Sequence, residues 1–180
     1  MPNSRAVASG VAGLAKSFAD QGPAEALRRF NLDSMAGAPA EDVFVALTEM
    51  LCPAGGSIDE AIARDALLET IADLAASGVG NFDELSKDDL REFFIGVVSR
   101  SIEGKILNEV GTNAFAAPLD ISGIEYVQAM LHDFVVGCVR DEFDARGADL
   151  SDLGAAAIDS FVADLYCAAL DLIEALGEDG

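Results

Sequence analysis

Tryptophan is absent from the chain, histidine occurs once, cysteine three times, and Lys plus Arg number only 11 against 32 Asp plus Glu. Each scarcity excludes something. A formal net charge of −21 provides no general basic field, so binding of phosphate backbones by charge is excluded as a working idea. An anionic membrane surface is disfavoured for the same reason. The longest stretches without a charge, Ala6 to Ala15 and Val110 to Leu119, are 10 residues each, far short of a membrane span. No basic segment followed by an apolar one opens the chain, which makes a cytoplasmic location the default expectation.

Cys52, Cys138 and Cys167 are odd in number and never fall in a C-x-x-C spacing, so neither a disulfide framework nor a zinc ribbon fits. Cys138 and Cys167 stand in apolar helical runs and are expected to be buried small hydrophobes. His132 alone cannot build a His-rich metal site, and any Ser-His-Asp or Cys-His system would have to use it. With Ala129 three residues before it, the Glu-x-x-His pair of di-iron bundles is missing. His132 therefore reads as a polar residue on a helix flank.

What the chain does have is hydrophobic content of 51% in helical periodicity. Val7, Val11, Leu14, Ala15 and Phe18 mark a first helix stopped by Gln21-Gly22, and Pro23 opens a short second one, Ala24 to Phe30. Pro39 opens a third through Val43, Phe44, Leu47 and Leu51. After Cys52-Pro53-Ala54-Gly55-Gly56, the capping box Ser57-Ile58-Asp59-Glu60 starts a fourth carrying Ile58, Ile62, Leu67, Leu68, Ile71 and Leu74, ended by Gly78. Ser86 to Asp89 caps a fifth, with Leu90, Phe93, Phe94, Val97, Val98, Ile102 and Ile106, ended by Gly111. Ser122-Gly123-Ile124-Glu125 reads as another box, opening a stripe of Ile124, Val127, Leu131, Phe134 and Cys138 that Gly147 closes. A cap near Asp149 or Ser151 leads to Ile158, Val162, Leu165, Ala169, Leu172 and Leu176, with Gly177 at the end. No segment alternates as a strand does. The expectation is an all-α, single-domain bundle of about seven helices, the last two an antiparallel hairpin. Residues 1–38 would form small N-terminal helices, 39–177 the main bundle and 178–180 an acidic tail.

No set of residues points to catalysis, a cofactor or a metal. Asp88, Asp89 and Glu92 resemble an aspartate-rich magnesium motif, but a second such motif is absent, and acids at a helix N-terminus suit its dipole. Gly55-Gly56 lacks the Gly-Lys-Ser/Thr of a phosphate loop. The candidates for partner binding are Arg28 and Arg29, the only basic doublet, and the turn formed by Cys52, Pro53, Gly55, Gly56 and Ser57. That turn feeds a helix N-terminus, whose free N–H groups suit an anion, and it would leave Cys52 exposed and somewhat acidic. The doublet equally suits the C-terminal dipole of its short helix.

Gly22-Pro23-Ala24-Glu25-Ala26-Leu27-Arg28-Arg29-Phe30-Asn31-Leu32, then Pro39 to Phe44, then Cys52 to Ala66 together resemble the C-terminal helical region of the QatB proteins of the bacterial Qat anti-phage cassette. The resemblance is specific over residues 20–75 and looser beyond, where the run Ile106 to Thr112 supports it. It implies a non-enzymatic subunit encoded beside an ATPase, a QueC-like enzyme of deazaguanine chemistry and a TatD-like nuclease. The implied role is docking, above all to the QueC-like protein. Such proteins begin with a flexible Gly/Ser/Pro-rich leader, whereas this chain starts Met1-Pro2-Asn3-Ser4 and enters a helix at once. A truncated or short form is expected, and modification of a leader's amino terminus by the QueC-like enzyme is assigned to no residue here. The rival reading is an acidic nucleic-acid mimic that occupies a basic partner, motivated by the net charge. A third, an enzyme using Asp88, Asp89 and Glu92 with Mg²⁺, rests on those carboxylates alone. Self-association is left open.

Overall fold

A computed structural model describes residues 1–53, 55–110, 121–146 and 154–178. They form seven α-helices: α1 Pro2–Gln21, α2 Pro23–Arg29, α3 Ala40–Leu51, α4 Ile58–Ala76, α5 Lys87–Val110, α6 Ile121–Arg146 and α7 Ala155–Glu178, with 3-10 turns at Asp33–Met35 and Phe82–Glu84. No strand occurs among the described residues. A single antiparallel bridge joins Pro39 to Asn81, where Ala40 N–H donates to Gly80 O at 3.0 Å and Phe82 N–H to Ala38 O at 3.0 Å. The expected all-α bundle is what the chain forms.

The central helix is α5, which packs against α1, α4, α6 and α7. Its sequence explains this position: Leu90, Phe93, Phe94, Ile95, Val97, Val98, Ile102 and Ile106 are buried, and apolar residues at nearly every angle make a helix that must be surrounded. The buried side chains of all seven helices form one contiguous cluster. At one end Phe82 stands edge-on to Phe18 (5.4 Å) and Phe44 (5.9 Å), while Phe44 stacks on Phe93 at 4.0 Å. Such ring pairs add about 0.5–1.5 kcal/mol each beyond their burial.

Two glycines set the spacing of α4 on α5. A Cβ at Gly96 would lie 2.8 Å from Thr70 Cγ2, and one at Gly104 would lie 2.9 Å from Ile62 Cγ2. These residues, with Ala63 and Ala66 fully buried on α4, bring the two backbones close together. The stripe expected on α4 is corrected accordingly. Its buried residues are Ala63, Ala66, Leu67, Thr70 and Ile71, while Ile58 and Leu68 face solvent.

Helix α6 is rotated from its expected stripe. Leu131, Val135 and Val139 are buried, and Phe134 and Cys138 only half-buried. Polar partners fix that rotation: His132 meets Glu103 at 2.8 Å and Arg140 meets Glu92 at 2.6 Å, which turns the neighbouring 131/135/139 ridge into the core. The same two pairs make α5 and α6 antiparallel. Helices α6 and α7, expected as a hairpin, pack on each other. Helix α6 already runs at Ile121, so Ser122 lies inside it and not at its cap, and α7 continues through Gly177 to Glu178. Asp149 and Ser151, with Gly111, Gly147, Asp179 and Gly180, lie outside the described residues. Cys167, expected inside the core, is exposed, because the buried face of α7 is Ile158, Phe161, Val162, Leu165, Ala169 and Ile173.

Candidate functional site

The turn before α4 is built inward. Ser57 Oγ accepts from Glu60 N–H at 3.1 Å and Glu60 Oε2 accepts from Ser57 N–H at 3.0 Å, the expected reciprocal cap. Asp59 accepts from the backbone N–H of Asn3 at 2.9 Å, so the carboxylates of the first turn of α4 serve the chain's own amides. Cys52 is 3% exposed, its thiol donates to Glu60 O at 3.4 Å, and its carbonyl accepts from Arg64 at 3.0 Å. Burial pushes this thiol above its ordinary value, an effect Arg64 only partly offsets. The expectation of an exposed, acidic Cys52 is therefore corrected: chain reversal turns its side chain under α4. Pro53, Gly55 and Gly56 remain at the surface.

Arg28 and Arg29 lie at the end of α2, well apart from that turn in the chain. Arg28 pairs with Glu25 at 2.9 Å and with Asp33 at 3.4 Å. Its charge is compensated locally, at a helix C-terminus where a cation is already favoured. The acids at the start of α5 are also engaged. Asp89 Oδ2 accepts from Ser86 N–H at 2.8 Å, Asp89 N–H donates to Ser86 Oγ at 3.1 Å, and Glu92 holds Arg140. Among the described residues, no group of three His, Cys, Asp or Glu is placed to hold a metal ion.

A concave surface lies elsewhere, on the outer face of α5. Helices α4 and α6 flank α5 without packing substantially on each other, which leaves a trench between them. Its two hollows, of about 530 and 370 Å³, both include Arg100 and His132 in their walls. From Glu92 to Leu107 the floor follows α5 for about 22 Å at 1.5 Å per residue. Arg100 reaches from the floor to the α4 wall, meeting Glu69 at 3.3 Å and Asp73 beside it.

Glu103 sits in the larger hollow, its side chain 17% exposed. Loss of solvent pushes its carboxyl above the ordinary glutamate value, against the opposing pull of His132 and Arg100. Asp65 on α4 and Asp133 on α6 complete the hollow, and both are exposed. Tyr126, 68% exposed, shares the helical stripe of Ala129 and Asp133, three and seven residues on. At the far end of α5, Lys105 holds Glu109 at 2.8 Å and the Tyr166 hydroxyl of α7 donates to the same carboxylate. Lys105 first and Tyr166 second keep Glu109 below the usual carboxylate range. Burial and that same carboxylate raise Tyr166 to about 12.

Of the residues weighed from sequence as candidates for chemistry or binding, only His132 lines the larger hollow, and it lies on a helix flank as expected, while Asp89 and Glu92 line the smaller one. The signals for this site were Glu103, an acid among the apolar residues of α5, and the eight-residue spacing of Gly96 and Gly104.

Fold and surface together define a class: an acidic all-α bundle around one central helix, with a charged trench open on that helix's outer face. The chain belongs to the QatB family, since the model of that family, described as Qat anti-phage system associated protein QatB, matches residues 1–173. No curated protein and no solved structure matches the chain. No helix among the described residues is long and apolar enough to cross a membrane.

Proposed function

We propose that the chain is a non-enzymatic, protein-binding subunit of the Qat anti-phage system, acting in the cytoplasm and docking the QueC-like enzyme of its cassette, with the ATPase as a further contact. Membership of a family defined by association with that system is the observation that carries this reading. The way the acids are used supports it. Ser57–Glu60 and Ser86–Asp89 cap helices, while Glu92 and Glu103 tie α6 to α5. Carboxylates spent on capping and pairing are carboxylates of scaffold construction.

The test is co-expression of the chain with the QueC-like protein and the ATPase, followed by affinity capture and size-exclusion chromatography. A co-eluting complex of defined stoichiometry is expected. Elution of every component alone at micromolar concentration refutes the docking role, and substrate turnover by the isolated chain refutes the non-enzymatic one.

A further inference from the structure

We propose that the larger hollow of the trench, between α4 and α6, is the docking slot for an arginine- or lysine-bearing segment of a protein partner; this rests on the reading of the chain as a binding subunit. Shape comes first. The hollow is preformed, about 530 Å³, with an apolar base that includes Ile62, Leu107 and Leu131. That is room for one or two long side chains and the backbone carrying them.

Charge sets the sign of the occupant. Four carboxylates line the hollow, from Asp65, Glu69, Glu103 and Asp133. The one guanidinium present, Arg100, is already engaged by Glu69 and Asp73, and the His132 ring is hydrogen-bonded to Glu103. Among the described residues neither Asp65 nor Asp133 forms an ion pair, although they stand on opposite walls. The surplus is therefore negative and faces inward. A planar, delocalised cation on an apolar stem matches an apolar base and carboxylate walls better than a bare ion does. No metal-holding group of acids occurs there among the described residues.

His132 supplies the readout, being the only imidazole in the chain and a wall of this hollow. Its ring proton signals are followed in the full chain at 150 mM salt as a nona-arginine peptide is added, and the affinity for the QueC-like protein is measured in parallel. Three proteins are compared: the wild type, Asp65→Asn with Asp133→Asn, and a control of equal charge, Glu41→Gln with Asp42→Asn on the exposed start of α3. The proposal expects at least a tenfold loss in the first pair and less than a twofold change in the control. Equal losses, or no loss in either, overturn the slot while leaving the docking role standing. If the QueC-like protein does not bind the wild type, the docking role fails, and the peptide titration alone decides the slot by the same criterion. A His132 shift produced equally by millimolar Mg²⁺ overturns the slot in favour of a simple ion site.

Discussion

Replacing Gly96 by alanine separates two effects that normally travel together. Glycine in a helix interior is worse than alanine by about 1 kcal/mol, so on propensity alone the substitution stabilises α5. Against this, the new methyl carbon would lie 2.8 Å from Thr70 Cγ2 and 3.2 Å from Arg100 Nη1. Thr70 is 4% exposed, its hydroxyl donates to Ala66 O at 2.7 Å, and a β-branched side chain in a helix has few rotamers to escape into. Overpacking of this kind costs about 1–3 kcal/mol. The net expectation for Gly96→Ala runs from neutral to a loss of about 2 kcal/mol. Gly137 in α6 is the control, because no atom lies within 4 Å of its would-be Cβ, and Gly137→Ala should gain about 0.5–1 kcal/mol. Urea melts followed by far-UV circular dichroism measure both. Thr70→Ser, which deletes the obstructing methyl, should restore part of the loss in the Gly96→Ala background. If Gly96→Ala proves as stabilising as Gly137→Ala, the close approach of α4 and α5 is refuted.

Ser57→Ala removes one half of the reciprocal cap of α4 and should lower stability by about 1 kcal/mol in the same melts, while Ser57→Asp stays near wild type. With iodoacetamide, Cys167 should be alkylated first, Cys138 more slowly, and Cys52 only as the protein unfolds; mass spectrometry of timed digests reads the order. Glu103 contributes a pH dependence of definite sign. Because burial raises its folded value above the ordinary 4.5, its contribution is full below that pH and is lost as pH rises through the raised value. The stability of wild type relative to Glu103→Gln should therefore fall as pH rises above 4.5, and a rise instead would show that His132 outweighs desolvation.

Helix number and the caps at Ser57 and Ser86 were legible in the sequence because they are local, set by residues three or four apart. Rotation about a helix axis was legible only where one stripe was apolar. On α1, Val7, Val11, Leu14 and Ala15 left no choice. On α6, Phe134, Val135, Val136, Cys138 and Val139 offer two stripes, and the decision rests with Glu103 and Glu92, some 30 and 48 residues away along the chain. The trench is less local still. It exists because two helices flank a third without meeting, a property of the assembled bundle that no window of sequence carries. Cys52 was misplaced for a related reason: the turn residues beside it are visible in sequence, but the direction in which the chain reverses is not.

The bridge between Pro39 and Asn81 closes α3 and α4 into a ring of chain whose ends are fastened beneath Phe82. Phe82 is fully enclosed and wedged against Phe18 and Phe44, both of which precede the exposed corner residues Pro53, Gly55 and Gly56. A cut in that corner therefore yields two pieces plugged together like stopper and flask, the second holding the stopper and the first the neck. The corner is thus the natural place to split this protein into halves that reassemble.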